Sequence, residues 1–391
     1  MNKGIVLGAV LALAGFGAGM YFAKQDQPPP VATTGSAGPS YAGGFKAEGD
    51  AAEAVKAGVA SGNIKAVAGP AGDAVMVVKD GESIQEAVKR AAPGTTIQIL
   101  PGTYHETVYI DKDGIRLIGV IEEGRRAVLD GEGKLNDAIL YSGNNVVVEN
   151  LTITKYKGNG IMSQAGNNFE IRNNLIVDTG VYGIFPQLGQ NGVVEHNVVS
   201  GIEDAAIYVG MSDNIHVAHN DVFDSVAGIE IENSRHAIVE NNYVHNNTGG
   251  ILAFVTPGLP IKTTYDVIIR HNFIVGNNHD NFGAPGSTVA GIPPGTGVLI
   301  MAADDVVIEG NIISDHKTAG ILVTDHANAA NITVDPESEP NSDRVKILDN
   351  TMLDNGYDTI PEVKALMLTE LQRGNPDIVR VGPSPGSCIR N

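Results

Sequence analysis

Short apolar runs recur along most of this chain, separated by Gly, Asn, Asp or Pro-Gly, and each is too short for a helix. Runs of strand length at this spacing indicate an all-β architecture. Thr96–Leu100, a Pro101-Gly102 turn, Thr107–Ile110 and Ile115–Ile118 open the series. Just before them, Ser83-Ile84-Gln85-Glu86 reads as a capping box, followed by Ala87, Val88 and Ala91 at helical spacing and stopped at Pro93-Gly94. A second helix is predicted over Pro361–Arg373, with Pro near its start and Gly374 past its end. The two helices are expected to plug the two ends of whatever the strands build.

The runs are periodic. Asn recurs at 150, 174, 197, 220, 242, 272, 311 and 350, at intervals of 24, 23, 23, 22, 30, 39 and 39. A small residue followed by an aliphatic one recurs too, at Gly160-Ile161, Gly183-Ile184, Ala206-Ile207, Gly228-Ile229, Gly250-Ile251, Gly297-Val298 and Gly320-Ile321. A fixed period near 23 with three short strands per period is one coil of a parallel β-helix. Three places before each later Asn stand Ile171, Val194, Val217, Val239, Ile269, Ile308 and Ile347. Two places after it stand Ile176, Val199, Val222, Val244, Ile274, Ile313 and Met352. Stacking at about 4.8 Å per coil turns these into inward aliphatic columns, with the Asn residues at turns where amides bond along the stack.

These segments resemble the pectin-lyase-like superfamily of right-handed, single-stranded parallel β-helices, over roughly residues 75–356. Ser83 to Ala87 and Pro101-Gly102-Thr103-Tyr104 look like that superfamily's N-terminal cap and first coil. Tyr182-Gly183-Ile184-Phe185-Pro186 and Gly228-Ile229-Glu230-Ile231-Glu232-Asn233 are similar to a family of exported bacterial parallel β-helix repeat proteins. The resemblance implies export, no established activity, and a frequent c-type-cytochrome-like partner.

The remaining chain divides simply. Gly4–Ala23 is a 20-residue run without charge between Lys3 and Lys24. It reads as a signal peptide or an uncleaved membrane anchor, with both open; either way the rest is exported to the periplasm or cell surface. Residues 25–73 are Pro-, Ala- and Gly-rich and read as a tether, 74–358 as the β-helix, and 359–391 as a helix and tail. The chain has 391 residues, 48 Gly, no Trp, one Cys and a net charge of −19. The charge argues against nucleic acid. Lone Cys388 forms no disulfide within the chain and no Cys-x-x-Cys-His heme site.

On a β-helix the outward positions carry function. After each small–aliphatic pair, the first outward column reads Met162, Phe185, Tyr208, Glu230, Leu252, Leu299 and Leu322; the second reads Gln164, Gln187, Gly210, Glu232, Phe254, Met301 and Thr324. This apolar stripe, broken by two acids, is open to three readings: covered by loops, a partner surface, or a glycan platform of Phe185, Tyr208 and Phe254 beside Glu230 and Glu232. The last is compatible with paired-carboxylate glycoside hydrolysis. Lyase or epimerase chemistry needs a cation for the uronate, and these columns hold no Lys, Arg or His. Alginate C5-epimerases of this fold carry Asp-Pro-His-Asp where Phe185-Pro186-Gln187-Leu188 stands here, so their activity is not carried over.

Three insertions interrupt the period: Val255–Tyr265, Asn277–Thr296 and Asp325–Asp343. The first and third leave from the same corner, around the tight turn Ala302-Ala303-Asp304, and predict a valley lined by Asp304, Asp305, Asp325 and His326. Asp335, Glu337 and Glu339 lie nearby, with His279 and Asp280 at the side. Oxygen donors in this number suit Ca²⁺, with Asp335 and Glu337 as ligands; solvated loop acids are the plainer reading. His196 and His219 on adjacent coils offer two metal ligands without an obvious third, or a polar turn ladder. The leading expectation is a cell-envelope binding or scaffold protein; the alternative is a carbohydrate-active hydrolase using Glu230 and Glu232.

Overall fold

The computed structural model describes residues 74–333 and 335–391. The anchor or signal segment 1–24 and the tether 25–73 lie outside the described residues. The chain winds into a parallel β-helix of three sheets, with 12, 10 and 10 strands, in which each strand pairs with its equivalents one coil away. One turn runs through sheet I, sheet II and sheet III in that order, as in Arg235–Glu240, Tyr243–His245 and Gly249–Phe254. The inward columns stack as the periodicity requires. Val194 pairs with Val217 and Val217 with Val239 in sheet I, while Val199, Val222 and Val244 do the same in sheet II; all are buried.

Turning a chain three times per coil exposes backbone polar groups to a dry interior, and side-chain ladders satisfy them. At the corner between sheets I and II, Asn174, Asn197, Asn220, Asn242, Asn272 and Asn311 each donate Nδ2 to the next Oδ1 at 2.9–3.0 Å. Each also donates to a backbone carbonyl and, from Asn197 on, accepts the preceding Asn N–H; for Asn220 these are Val194 O at 2.9 Å and Asn197 N at 3.0 Å. Asn391 extends the row beyond Asn350, at 3.0 Å. Asn150 is not a member. Glu149 pairs with Arg172, so Asn150 is level with Asn173, and Leu151 occupies the ladder's place with its N–H on Asn174 Oδ1.

The column just before the ladder holds the sharp bend. Asn150, Asn173, His196, His219, Asn241 and His271 all have φ between +53° and +63°, the left-handed region that Asn and His tolerate better than most residues. Short polar side chains, not glycine, fill most of these corners. His196 and His219 stack face to face, 4.8 Å apart and 6° from parallel, so they form a turn ladder. Glycine is needed instead where coils touch: a Cβ on Gly183 would stand 2.5 Å from Ala206 O.

Helix α1 (Ile84–Arg90) closes the N-terminal end of the lumen, burying Ile84, Ala87 and Val88 in the aliphatic core. Half of its capping box forms, with Ser83 Oγ accepting from Glu86 N. Glu106 of the next coil does the rest, accepting from Ser83 Oγ, Ile84 N and Gln85 N, while Lys112 Nζ donates to the last carbonyls, Val88, Lys89 and Ala91 O. Helix α2 (Pro361–Thr369) is not a plug. Val363 and Met367 pack against the outer face of sheet III with Leu322 and Val379. The solenoid also runs past 358, as Ile378–Arg380 joins sheet III and Cys388–Arg390 joins sheet I. Ile389, in register with inward-facing Ile347, is 48% exposed, so the C-terminal end of the lumen is bare.

Replacing Asn220 tests the ladder. Asn220→Ala removes the Nδ2 bonds to Val194 O and Asn242 Oδ1 and leaves the Asn197 N–H without its acceptor, a loss of roughly 2–4 kcal/mol in denaturant unfolding. Asn220→Asp, which swaps donors for acceptors, should cost at least as much, and a loss below about 0.5 kcal/mol for either would refute a structural ladder.

Candidate functional site

The outward columns of sheet III stack as expected: Tyr208, Glu230, Leu252, Leu299 and Leu322 in one, Gly210, Glu232, Phe254, Met301 and Thr324 in the next. They do not face open solvent. Val289 and Ile292 of the second insertion, Ala329 and Ile332 of the third, and α2 pack onto the stripe as a second apolar cluster. Glu230 is 2% exposed and Glu232 7%. That corrects the picture of two surface acids on an open platform: strand parity sets which way a side chain points, and the insertions decide what it meets. Phe254 lies under the same cover, and Phe185 and Tyr208 stack on each other at 4.3 Å.

Around the two glutamates the structure gathers residues that the repeat did not advertise. Asp204, on the turn entering the Ala205–Gly210 strand, faces both glutamates electrostatically, and its burial and Glu232 push its carboxyl up to about 7. Tyr182 packs against Phe185 at 4.7 Å and Tyr208 at 4.6 Å. Tyr208 Oη donates to Glu232 Oε2. Gly210 makes room for this, since a Cβ there would meet the Tyr208 and Phe185 rings at 2.9 and 2.8 Å. Burial raises Glu232 to about 7 and, with Asp204 beside it, holds Glu230 well above the usual carboxylate range. Among the described residues, buried Glu230 Oε1 has no hydrogen-bond partner and no Lys, Arg or His forms an ion pair with any of the three acids.

Gathering two buried carboxyls and a half-buried one costs stability, because each charged form loses its hydration and meets the others. Holding them protonated lowers that cost. The cluster is therefore a set of proton donors and acceptors whose carboxyls are pushed above their usual range, with Tyr182 and Asp204 half-exposed at its edge; Val289 and Ile292 lie over the following positions of the same columns, Leu252, Phe254, Leu299 and Met301. Thr256, close enough to Glu232 to moderate that rise, has its hydroxyl 3.4 Å from that of Thr288 of the second insertion. Ile292 presses on Gly249, where a Cβ would come within 2.8 Å of it.

The first and third insertions do leave from one corner, but they meet across the valley. Lys262 Nζ binds Asp335 Oδ2 at 2.7 Å, Gly258 N–H reaches the same oxygen, and His326 Nε2 lies 2.8 Å from Val255 O. Glu337 is 3.8 Å from Lys262, and Glu339 N donates to Lys262 O. Asp304 and Asp305 share Arg344, at 3.0 and 2.7 Å. Asp325 is buried and accepts from Asn328 N and Nδ2. Asp280 binds Lys317, and His279 binds Asp224. Cations and backbone amides thus occupy the valley acids, and among the described residues no group of three or more His, Cys, Asp or Glu is placed to hold a metal.

Sequence reasoning found Glu230 and Glu232 but missed Asp204 and Tyr182, which belong to turns and strand starts outside the columns. The available signals were the acid just before Ala205-Ala206-Ile207 and the vacancy at Gly210 beside Tyr208. It also missed a second ladder at the corner between sheets II and III: Asn247 to Asn277 at 2.9 Å, Asn277 to His316 at 3.1 Å, His316 to Asn355 at 3.0 Å.

An all-parallel solenoid of three sheets, each visited once per coil, defines a class: the right-handed parallel β-helix proteins. The model of the family described as "Right handed beta helix region" matches residues 133–222 and 225–362, and the chain belongs to that family. None of the curated proteins matches the sequence. Among solved structures, an alginate lyase from Paenibacillus sp. str. FPU-7 is similar at 14% identity and TM-score 0.52, over 74% of this chain and 100% of that one. A DFA-IIIase from Arthrobacter chlorophenolicus A6, solved without its lid, is 15% identical at TM-score 0.49, over 81% and 94%. The pectate lyase Pel9A is 12% identical at TM-score 0.45, over 75% and 82%. At such identities the likeness concerns the fold alone.

Two tests follow from the geometry. Glu232 has a folded-state pKa raised from 4.5 to about 7, so its contribution is present below the unfolded value and is lost as pH rises through the folded one. Relative to the wild type, Glu232→Gln should gain stability steadily between pH 5 and pH 7, by up to about 1.4 kcal/mol per pH unit; parallel melting curves across that range would contradict a buried neutral acid. Chelation with EDTA should leave the melting temperature unchanged, because Asp335 and Glu337 already have Lys262. A drop restored by Ca²⁺ would show an ion in the valley.

Proposed function

We propose that this protein is a carbohydrate-active enzyme that hydrolyses glycosidic bonds of an uncharged glycan at Asp204, Glu230 and Glu232. The observation that supports it most is two buried carboxyls and a half-buried third, with no cation paired to them among the described residues and one oxygen unpartnered there, lodged against Tyr182 and Tyr208. Structural acids in a solenoid are expected in ion pairs, as Glu149 and Glu240 are with Arg172 and Arg270. In the proposed reaction Glu230, kept protonated by burial, gives its proton to the glycosidic oxygen as the bond to the anomeric carbon breaks. Asp204, on the open side, takes a proton from the water that adds to that carbon. Glu232 accepts the Tyr208 hydroxyl and so fixes that ring beside Glu230. Glu230 is 2% exposed, so the cover of this face has to shift for a sugar to reach it.

The charge pattern speaks for a neutral substrate, since a uronate carboxylate beside three acids would be repelled unless a cation intervened. It speaks equally for hydrolysis over elimination or epimerisation. The scaffold reading, with a c-type-cytochrome-like partner, relied on the apolar stripe and the loop valley as its surfaces; the insertions and α2 use the stripe internally, and Lys262 with Asp335 bridges the valley. Export on the Gly4–Ala23 segment remains part of the proposal.

A panel of uncharged polysaccharides and oligosaccharides, assayed for new reducing ends, tests the reading. Turnover on at least one of them should fall 100-fold or more in Glu230→Gln and in Asp204→Asn. No turnover on the whole panel, or turnover that survives Glu230→Gln, would sink it.

A further inference from the structure

The outer face of sheet II carries an aromatic surface that no insertion covers. Tyr243 is 43% exposed and Phe273, its register partner one coil on, is 50% exposed. Their rings meet edge to face at 6.3 Å. Tyr243 also stacks on His245 at 4.0 Å, and His245 on Phe223 of the preceding coil at 5.0 Å. Four rings therefore line up across three coils, with His245 held by Asp221 at 3.0 Å. Beside Tyr243 and Phe273 runs a groove of about 530 Å³, lined by Asn241, Asn242, Tyr243, His271, Phe273 and Val275. None of these six residues is Lys, Arg, Asp or Glu.

The occupant can be argued from this lining. Half-exposed rings beside an edge of Asn and His, with Asp221 held on His245 next to them, suit a ligand with an apolar face and hydroxyls on its rim. Asn241 and His271 supply donors and acceptors once per coil, at the strand spacing, because both occupy the left-handed corner position. A polyanion finds no cation here on a chain of net charge −19. A protein partner would need a far broader apolar area than four rings provide. We propose that this face is a binding site for an uncharged polysaccharide strand, separate from the acid cluster on sheet III. It rests on the carbohydrate reading only in its ligand class, and its residues take no part in the proposed chemistry.

Affinity electrophoresis of the full chain in gels containing laminarin, hydroxyethyl cellulose or glucomannan tests it, with alginate and polygalacturonate as charged controls. Retardation by at least one neutral polymer should be lost, with the dissociation constant rising tenfold or more, in the Tyr243→Ala, Phe273→Ala double variant. It should persist in Tyr243→Phe and in the Glu230→Gln, Glu232→Gln variant, and each protein's melting temperature shows that it is folded. No retardation by any neutral polymer, retardation by the charged polymers alone, or neutral-polymer binding that survives loss of both rings overturns the proposal. Binding that depends on the rings with no turnover on any glycan supports this site and removes the enzyme reading. Binding lost only in the glutamate variant overturns this site and leaves the acid cluster standing.

Discussion

Every feature of this molecule depends on a single constraint: equivalent residues of successive coils must sit directly above one another. The buried Asn ladder enforces it. Each amide makes four hydrogen bonds, two of them along the stack, so a coil shifted by one residue would strand several buried polar groups at once. The left-handed corner residue just before each ladder Asn sets the angle at which the chain turns into sheet II. Packing alone would tolerate some slippage, because Ile and Val in the lumen are interchangeable in outline. The amides are not.

That rigidity permits an outer face that is poor by the usual criteria of stability. Sheet III and the turn entering it carry three acids with no counter-ion among the described residues, and the cost is borne by a core that changes little from coil to coil. The second insertion is tied down at its base, by His279 with Asp224, Asp280 with Lys317 and the His279 N–H on Asn247 O, while Thr288 and Ile292 meet the solenoid at Thr256 and Gly249. A stiff solenoid bearing an apolar cover anchored at its base is a suitable arrangement for a site that must exclude water and still admit a ligand.

The fold was legible because its environments repeat: seven coils of Ile or Val at one position leave little room for a second reading. Even the single slip had a trace in the chain, since the first Asn interval is 24 where its successors are 23, and Leu151 supplies the extra residue. The site was legible only in part. Alternation in Glu230-Ile231-Glu232 places both acids outward, but no periodicity encodes the path of the second insertion back over the preceding coils. Burial of the glutamates, and with it their protonation, therefore could not be read from the strand that carries them. Asp204 escaped for a related reason, as it sits in a turn whose occupants vary between coils. The role of α2 was misjudged because its sequence marks a helix and not the surface on which that helix lands.

The second insertion has a consequence for how this solenoid can change over time. A β-helix ordinarily gains or loses whole coils without penalty, since each ladder simply grows or shortens by a rung. Here the roof leaves the stack after Asn277 and lands on coils that precede it, so the intervening rungs act as a ruler. One coil added between Glu232 and Thr296 would keep every Asn partnered and every aliphatic column filled, yet it would carry Thr288 and Ile292 about 4.8 Å away from the acids. The number of coils is thus free along most of the molecule and fixed across this short stretch, where length itself is part of the site.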